Sequence, residues 1–526
     1  MSTPPDFEKS GIATTFGAEL AAAAQSHPDK VFLRCGDEMV TYAELDRLSA
    51  RIASRLLTEG FRSGDRIAIA ALNQPEWLAM FFAATRIGLI VVTLNVRYRE
   101  TELEYMLNHS GARAVITHTR LGEFDYVSLY AALAERIPAV EHLIYLEADE
   151  TTGLPYAALA GSPIDRNALR PAERKVTPDT PAVILYTSGT TGQPKGAVLT
   201  HAGMLAAASA QLDHLAVTGK DVFIGNMPLN HVGGITCTIT LALLARATVV
   251  LMPAFSPKGA LDTITATGAT VFAGVPAMFA MMLAHNDIDD YDLESVRVTV
   301  VGGSNADPTL CAAIAARFRR ARLSNLYGLS ESSGACVLSA VDDDLATVSS
   351  TLGVPIAGVE IKVVDADGAA AQEGELLVRG GGVAAGYWRM PEETARTFLP
   401  GGWLATGDMV AVGPGGHLTL RGRSKEMYIQ GGYNVYPVEI ENVLATHPAV
   451  AMAAGIGVPD PVLGEIGRYY VIAKPGTDIT PEALIAHCRQ RLADYKAPKQ
   501  IVLVDELPMT PAGKIAKAQL RKADSS

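Results

Sequence analysis

The stretch Ala182-Val183-Ile184-Leu185-Tyr186 followed by Thr187-Ser188-Gly189-Thr190-Thr191-Gly192-Gln193-Pro194-Lys195-Gly196 starts as a short apolar strand and ends as a loop of hydroxyls, glycines and one lysine. The run before Thr187 has the length and apolar character of a buried strand. In the loop, glycines let the backbone approach an anion and turn successive N–H groups toward it, while the hydroxyls and the Lys195 ammonium add donors and charge. The spacing is not that of a Walker A loop, which needs a glycine five residues before a Gly-Lys pair. An ordinary polar turn after a strand does not need this density of phosphate-binding chemistry. The loop therefore predicts a phosphate site at the end of a strand in an α/β sheet.

Outward from that loop, apolar strand-like runs alternate with helical ones. Arg66–Ala70, Gly88–Leu94 and Ala114–Ile116 read as strands, and Tyr42–Leu57 as a helix. Beyond the loop, Thr248–Leu251, Ala269–Phe272 and Val296–Val301 continue the pattern, which is that of a large layered α/β domain. From about Val354 the texture changes to short strands broken by glycine-rich turns, as in Glu360–Val364 before Asp365-Ala366-Asp367-Gly368 and Glu375–Val378 before Arg379-Gly380-Gly381-Gly382. A small β-rich subdomain over about 354–424 is expected. The last hundred residues, with a helix near Val438–Thr446, strands near Ala449–Ile456 and Tyr469–Ala473 and a helix over Pro481–Leu492, read as a compact α+β unit over 425–526.

At 526 residues and 48% hydrophobic composition the chain is long enough for several cores. A net charge of −12 without a clustered basic patch argues against a nucleic-acid partner. Cys35, Cys237, Cys311, Cys336 and Cys488 are odd in number and scattered, which suggests neither a disulfide framework nor a zinc site and fits a reducing cytoplasm. The N-terminus has no basic region followed by an apolar core, so no secretory signal is visible. Trp77–Val96 and Ile235–Met252 are long enough to tempt a membrane assignment. Arg86, Gly88 and Asn95 interrupt the first and Arg246 the second, and a buried helix followed by a strand is the better reading.

Four further stretches carry chemistry. Tyr327-Gly328-Leu329-Ser330-Glu331 places an aromatic face, a hydroxyl and a carboxylate within five residues. Trp403-Leu404-Ala405-Thr406-Gly407-Asp408 ends on a carboxylate, with Arg423 fifteen residues on. Leu507-Pro508-Met509-Thr510-Pro511-Ala512-Gly513-Lys514 sets a lysine on a Pro/Gly loop, and Pro228-Leu229-Asn230-His231-Val232-Gly233-Gly234 carries a histidine. Taken singly, Asp408 reads as a turn residue after glycine, Lys514 as a solvated charge and His231 as structural. In this order, and in register with the phosphate loop, they resemble the adenylate-forming superfamily of acyl-CoA synthetases, peptide-synthetase adenylation domains and luciferases, most of all the fatty acyl-CoA synthetases. The resemblance runs from Tyr42-Ala43-Glu44-Leu45 to Gly513-Lys514.

That resemblance implies a large N-terminal domain and a small mobile C-terminal one, with the active site between them. It assigns ATP to Thr187, Ser188, Gly189, Thr190, Thr191, Gly192, Lys195, Gly303, Ser304, Tyr327, Asp408 and Arg423. Tyr327 would lie against adenine, Ser330 (usually Thr in the family) would meet the α-phosphate, and Asp408 would hold the ribose. Mg²⁺ would be held by Glu331 and Thr187, in keeping with an ion that takes few protein carboxylates and completes its shell with phosphate and water oxygens. Lys514 would orient the attacking carboxylate and neutralise charge on the α-phosphate. Lys425 would be the hinge, and rotation would withdraw Lys514 and bring Gly431 and Gly432 to the thiol tunnel for coenzyme A. His231 would stand beside the acyl and thiol channels.

The implied reaction is ATP-dependent activation of a carboxylic acid, through an acyl-adenylate, to an acyl-CoA thioester. Transfer to a carrier protein or to oxygen is the second enzymatic reading, and a non-catalytic nucleotide sensor of the same fold a third. The expected partners are a small-molecule acid, ATP and coenzyme A, with a homodimer admitted. An acyl pocket is expected around Val232, Gly233, Val275, Gly302, Gly334 and Ala335. Their small size, together with that of Gly234 and Gly303, predicts a roomy apolar cavity. A medium- to long-chain fatty acid is therefore expected, with an aromatic or alicyclic acid as the alternative.

Overall fold

Burial decides where the long apolar stretch at Trp77–Val96 goes. Pro75–Arg86 is a helix buried along almost its whole length, Gly88 turns the chain at φ +77°, and Ile90–Thr93 enters a sheet as a fully buried strand. The second stretch behaves alike. A π-helical segment over Ile235–Thr240 runs into the helix Leu241–Ala245, Arg246 turns the chain at φ 58°, and Thr248–Leu251 forms a strand. Arg246 Nη1 lies 2.6 Å from Oε1 of the buried Glu19, so the charge that breaks the apolar run is paired inside the protein. Among the described residues no helix is long and apolar enough to cross a membrane. The computed structural model describes residues 14–147, 153–187, 193–303, 307–423, 425–430, 433–510 and 515–524.

Two large sheets organise the N-terminal part. One has nine strands, in the spatial order Val354–Pro355, Gly334–Leu338, Arg322–Leu329, Val298–Gly302, Val271–Gly274, Val222–Gly225, Thr248–Leu251, Val31–Cys35, Glu38–Thr41. The other has seven, in the order Lys195–Thr200, Pro181–Thr187, Ile90–Thr93, Arg66–Ala70, Ala114–Thr117, His142–Tyr145, Leu154–Pro155. A single core joins the inner faces of both, with Val249, Val271 and Val300 from the first and Ile67, Val91 and Val183 from the second. Helices Pro75–Arg86 and His201–His214 lie in that core. A helix covered by sheets on both sides has no solvent face, which is why Pro75–Arg86 shows no polar stripe.

The outer face of the nine-stranded sheet packs Val250, Phe272 and Val301 against helices Pro257–Thr267, Pro276–Leu283 and Pro308–Arg317. The outer face of the seven-stranded sheet packs Val92, Val115 and Ile184 against helices Glu100–Ser110 and Tyr126–Leu133. The result is alternating helix and sheet layers. Neighbouring strands Val271–Gly274, Val298–Gly302 and Arg322–Leu329 run parallel, as do Ile90–Thr93 and Pro181–Thr187. Their carboxyl ends carry Val275, Gly303, Tyr327 and Thr187, the edge of a parallel sheet where ligands bind.

The β-rich region differs from the sequence expectation in two places. Val354–Pro355 belongs to the nine-stranded sheet, because it continues the ladder on Val337 and Leu338; the third sheet begins only at Val359–Val364. Asp408 lies inside the ten-residue strand Trp403–Val412 rather than in a turn, and Gly407 at φ +71° absorbs the local irregularity. This third sheet adds Glu373–Gly380, Phe398–Leu399 and Leu418–Arg423. The last hundred residues build their own five-stranded sheet, from Tyr428–Gln430, Tyr433–Val435, Val450–Asp460, Gly464–Ala473 and Gln500–Leu503. Its core combines Tyr428 and Tyr469 with Ile440 and Leu484 of helices Pro437–Ala445 and Pro481–Arg489.

Candidate active site

Asp408 is 3% exposed, and register places it directly opposite Arg423 on the neighbouring strand. Its Oδ1 lies 3.0 Å from Arg423 Nε, and its Oδ2 accepts a hydrogen bond from Tyr327 Oη at 2.6 Å. Tyr327 stands near the carboxyl end of a strand of the nine-stranded sheet, so its bond to Asp408 ties that sheet to the third one. Burial, with the Asp408 charge beside it, pushes the Tyr327 hydroxyl well above its ordinary range and keeps it a donor. The Asp408 charge likewise holds the Arg423 guanidinium protonated. An ionised carboxylate has about four lone-pair sites, so two bonds leave acceptor capacity for the hydroxyls of a ribose.

Glu331 is presented by a short helical turn, Ser330–Ser332, at the carboxyl end of the Tyr327 strand. Ser332 fixes that turn: its hydroxyl accepts from Leu329 N–H at 3.0 Å and donates to the Gly334 carbonyl at 2.7 Å. Ser330 is buried beside it. Glu331 Oε1 accepts a hydrogen bond from Tyr387 Oη at 2.7 Å, and the Lys195 ammonium lies 5.1 Å from the centre of the same tyrosine ring. Thr187 and Lys195 face each other across the mouth of the phosphate loop, where the Thr187 hydroxyl donates to the Lys195 carbonyl at 3.5 Å. Gly303, at φ +81° and exposed, directly follows strand Val298–Gly302 of the nine-stranded sheet. Ser188, Gly189, Thr190, Thr191, Gly192, Ser304, Gly431, Gly432 and Lys514 lie outside the described residues.

His231 does local structural work. It caps the turn Val232–Gly234, with its Nδ1 accepting from Gly233 N–H at 3.2 Å. That bond requires Nδ1 to be unprotonated, so in the neutral ring the proton sits on Nε2. Lys425 is exposed, in a turn closed by bonds from Glu426 N–H and Met427 N–H to the Arg423 carbonyl at 3.0 and 3.1 Å.

At the residues expected to line the acyl pocket, small size does not mean open space at every position. A Cβ on Gly234 would stand 2.2 Å from the Pro228 carbonyl oxygen, and one on Gly302 2.6 Å from that of Leu326. At Gly334 it would meet Cys237 Sγ at 2.9 Å. These glycines answer the close approach of other protein atoms. Ala335 and Val232 are buried in the shared core, and Val275 precedes helix Pro276–Leu283 as a buried cap. Gly233 instead faces a flexible group, the Met227 methyl at 2.8 Å.

Two residues that sequence reasoning passed over stand against the expected site residues, Tyr387 on Glu331 and Cys237 beside Gly334. Tyr387 follows the glycine-rich Arg379–Gly382 stretch, which reads as a turn and hides it. Cys237 is the one residue of Ile235–Thr240 that is not fully buried, a distinction that composition cannot make. Among the described residues, no three His, Cys, Asp or Glu side chains cluster as a metal site. Glu331 with the Thr187 hydroxyl fits an ion that draws its other ligands from phosphate and water, which is the habit of Mg²⁺.

Residues 20–388 match the model of the AMP-binding enzyme family. The chain belongs to that family. As an AMP-binding enzyme it is an AMP-forming acid–thiol ligase, for which ATP and coenzyme A are the expected co-substrates. Residues 439–514 match the AMP-binding enzyme C-terminal domain. The chain is 35% identical, over 97% of its own length and 98% of the relative's, to the 3-[(3aS,4S,7aS)-7a-methyl-1,5-dioxo-octahydro-1H-inden-4-yl]propanoyl:CoA ligase of Mycobacterium tuberculosis. It is 34% identical to a feruloyl-CoA synthase of Amycolatopsis, over 95% of this chain and 97% of that protein. The crystal structure of the anthranilate CoA ligase AuaEII with anthranoyl-AMP superposes with a TM-score of 0.89, at 27% identity and 97% coverage of both chains.

Proposed function

We propose that this ligase activates a bulky apolar acid bearing a ring near its carboxylate, through an acyl-adenylate, and passes the acyl group to coenzyme A. The observation that carries the adenylation step is the buried Asp408, held between Tyr327 and Arg423, with Glu331 and Lys195 facing the same strand ends. Asp408 takes the ribose hydroxyls and Tyr327 flanks the base. Ser330, Lys195 and the loop that follows Thr187 bind the phosphates. Glu331 and the Thr187 hydroxyl would hold Mg²⁺, which when bound neutralises charge on the phosphate oxygens. Little covalent chemistry falls to the protein in such transfers, so positioning and charge carry the rate. Lys514 orients the acid carboxylate, and the domain boundary lies at Lys425, between 1–424 and 425–526. In the second half-reaction the Gly431-Gly432 loop replaces Lys514 beside the thiol.

The ring is supported by two features. The relatives named above act on ring-bearing acids, and beside Gly234, Gly302 and Gly334, three of the glycines that suggested a roomy cavity, the nearest space is taken by protein atoms. Cys237, partly exposed within a buried helical segment and in line with Gly334, would form the floor of a short, wide pocket. A medium-chain fatty acid is the second reading, favoured by Met281, which is 46% exposed on helix Pro276–Leu283 and would extend an apolar wall. The test is pyrophosphate release and CoA-thioester formation with 4-coumarate, a cycloalkyl propanoate, octanoate, palmitate and acetate, compared as kcat/KM. A ring acid should lead; preference for palmitate or acetate would refute the acid, and absence of pyrophosphate release with every acid would refute adenylation.

A further inference from the structure

Tyr387 stands where the two large sheets and the nucleotide site meet, and no step of the reaction derived above uses it. Its segment is stitched to both sides. Ala384 N–H donates to the Glu331 carbonyl at 2.8 Å, Ala385 N–H to Val198 at 2.9 Å and Trp388 N–H to Gly196 at 2.8 Å, while Val198 N–H returns a bond to Gly386 at 2.9 Å. Ala197 and Tyr387 pair as an isolated antiparallel bridge. Residues 384–388 thus extend the edge of the seven-stranded sheet just past the phosphate loop and bind the backbone of Glu331 as well. Tyr387 N–H donates to Thr394 Oγ1 at 2.9 Å, and Phe398 packs edge-on against the ring at 5.3 Å, so the side chain has one orientation. In that orientation the hydroxyl meets Glu331 Oε1 and the ring face meets Lys195.

From this geometry we infer that Tyr387 is a positioning residue that sets the Glu331 carboxylate for the divalent cation accompanying ATP. This rests on the reading of Glu331 as the metal-serving carboxylate. A partly exposed glutamate has several rotamers to lose when it takes a cation. A donor fixed on Oε1 removes that freedom beforehand and commits the other oxygen to the metal. Partners of metal ligands typically change metal affinity by about 10- to 100-fold when removed. The ring has a separate task beside the Lys195 ammonium. Tyr387→Phe keeps the ring and removes only the hydroxyl, so the two tasks come apart.

The experiment is calorimetric titration of the full chain with ATP over a series of Mg²⁺ concentrations, and with AMP in the absence of metal, for the parent and Tyr387→Phe. The Mg²⁺ concentration that gives half the maximal gain in ATP affinity should rise about tenfold in the variant. AMP affinity should stay at the parental value, since Asp408, Tyr327 and Arg423 are untouched, and so should the melting temperature. The same Mg²⁺ requirement in both proteins overturns the inference. So does equal weakening of ATP and AMP with a lower melting temperature, which is the signature of lost packing. In a Glu331→Gln background, removing the hydroxyl should add no further shift; an additive shift also overturns it. AMP binding in the parent reports separately on the nucleotide site: if AMP binds and ATP affinity ignores Mg²⁺ altogether, the role of Glu331 fails and this inference with it.

Discussion

The side of this cleft proposed for the nucleotide and the side proposed for the acid are built from opposite materials. On the nucleotide side, charged and hydroxylic residues far apart in the chain touch: Tyr327 meets Asp408 at 2.6 Å, Asp408 meets Arg423 at 3.0 Å, and Tyr387 meets Glu331 at 2.7 Å. On the acyl side, glycines let backbone and side chains crowd together, as where Pro228 fills the place of a Gly234 side chain. A polar side chain announces what it can bind. A glycine announces only that something comes close, and whether that is ligand or protein is not written in it.

The largest test of this contrast is Asp408→Ala. Two hydrogen bonds to a charged group, worth about 1.5–3 kcal/mol each, are lost, and the ribose loses its acceptor as well. ATP affinity should fall by about 100-fold or more, since every 1.4 kcal/mol is tenfold. Titration with ATP measures it, and a variant that binds ATP like the parent would break the nucleotide half of the comparison.

On the other side, Gly234→Ala should destabilise the fold by about 2–3 kcal/mol, because its new methyl meets a carbonyl oxygen that cannot move away. Gly233→Ala should cost less than about 1 kcal/mol, because only the flexible Met227 methyl has to give. Denaturant unfolding of both variants decides it. Equal cost would mean that the two glycines serve the same purpose.

A third test sharpens the acyl half. Cys237→Leu adds volume where the floor of the pocket is proposed, and a methylene-sized change in an apolar pocket shifts discrimination by about tenfold or more. The kcat/KM ratio of 4-coumarate to octanoate should change by that factor while the KM for ATP holds. No change in the ratio would remove Cys237 from the pocket.

A last test concerns the layer shared by both sides. His201 starts helix His201–His214, is fully buried, and its Nδ1 accepts from Phe16 N–H at 3.1 Å. Burial lowers its pKa to about 3, so the folded chain keeps it neutral where the unfolded chain, titrating near 6.5, takes up a proton. Above about pH 6.5 His201 therefore contributes no pH dependence. Below it, stability falls by up to about 1.4 kcal/mol per pH unit until the folded pKa near 3 is reached. Unfolding free energies between pH 7 and 5 measure the slope, and His201→Gln, which keeps an acceptor for Phe16, should flatten it.

Much of the fold was legible before any coordinates. The helix expected at Tyr42–Leu57 runs Tyr42–Thr58, and its start is written in the sequence: Thr41 and Glu44 cap each other, with Thr41 N–H donating to Glu44 at 2.8 Å. The strands at Arg66–Ala70 and Thr248–Leu251 fall where the apolar runs are, because a buried parallel strand must be apolar on both faces. The break in Ile235–Met252 was legible too, since a lone arginine in such a run needs a partner or an exit.

The sequence by itself determined the layered α/β class, the family and the polar residues proposed here for ATP, because periodicity and local chemistry are properties of short stretches. Tertiary structure alone decided which strand each residue sits on, that Asp408 lies within a strand, and that Tyr387 reaches Glu331 across 56 positions of chain. It also decided that Gly234, Gly302 and Gly334 stand against other protein atoms. Those facts depend on which segments become neighbours. Pairing of distant strands is set by the whole core, and a one-residue difference in register would turn each of these side chains to the other face.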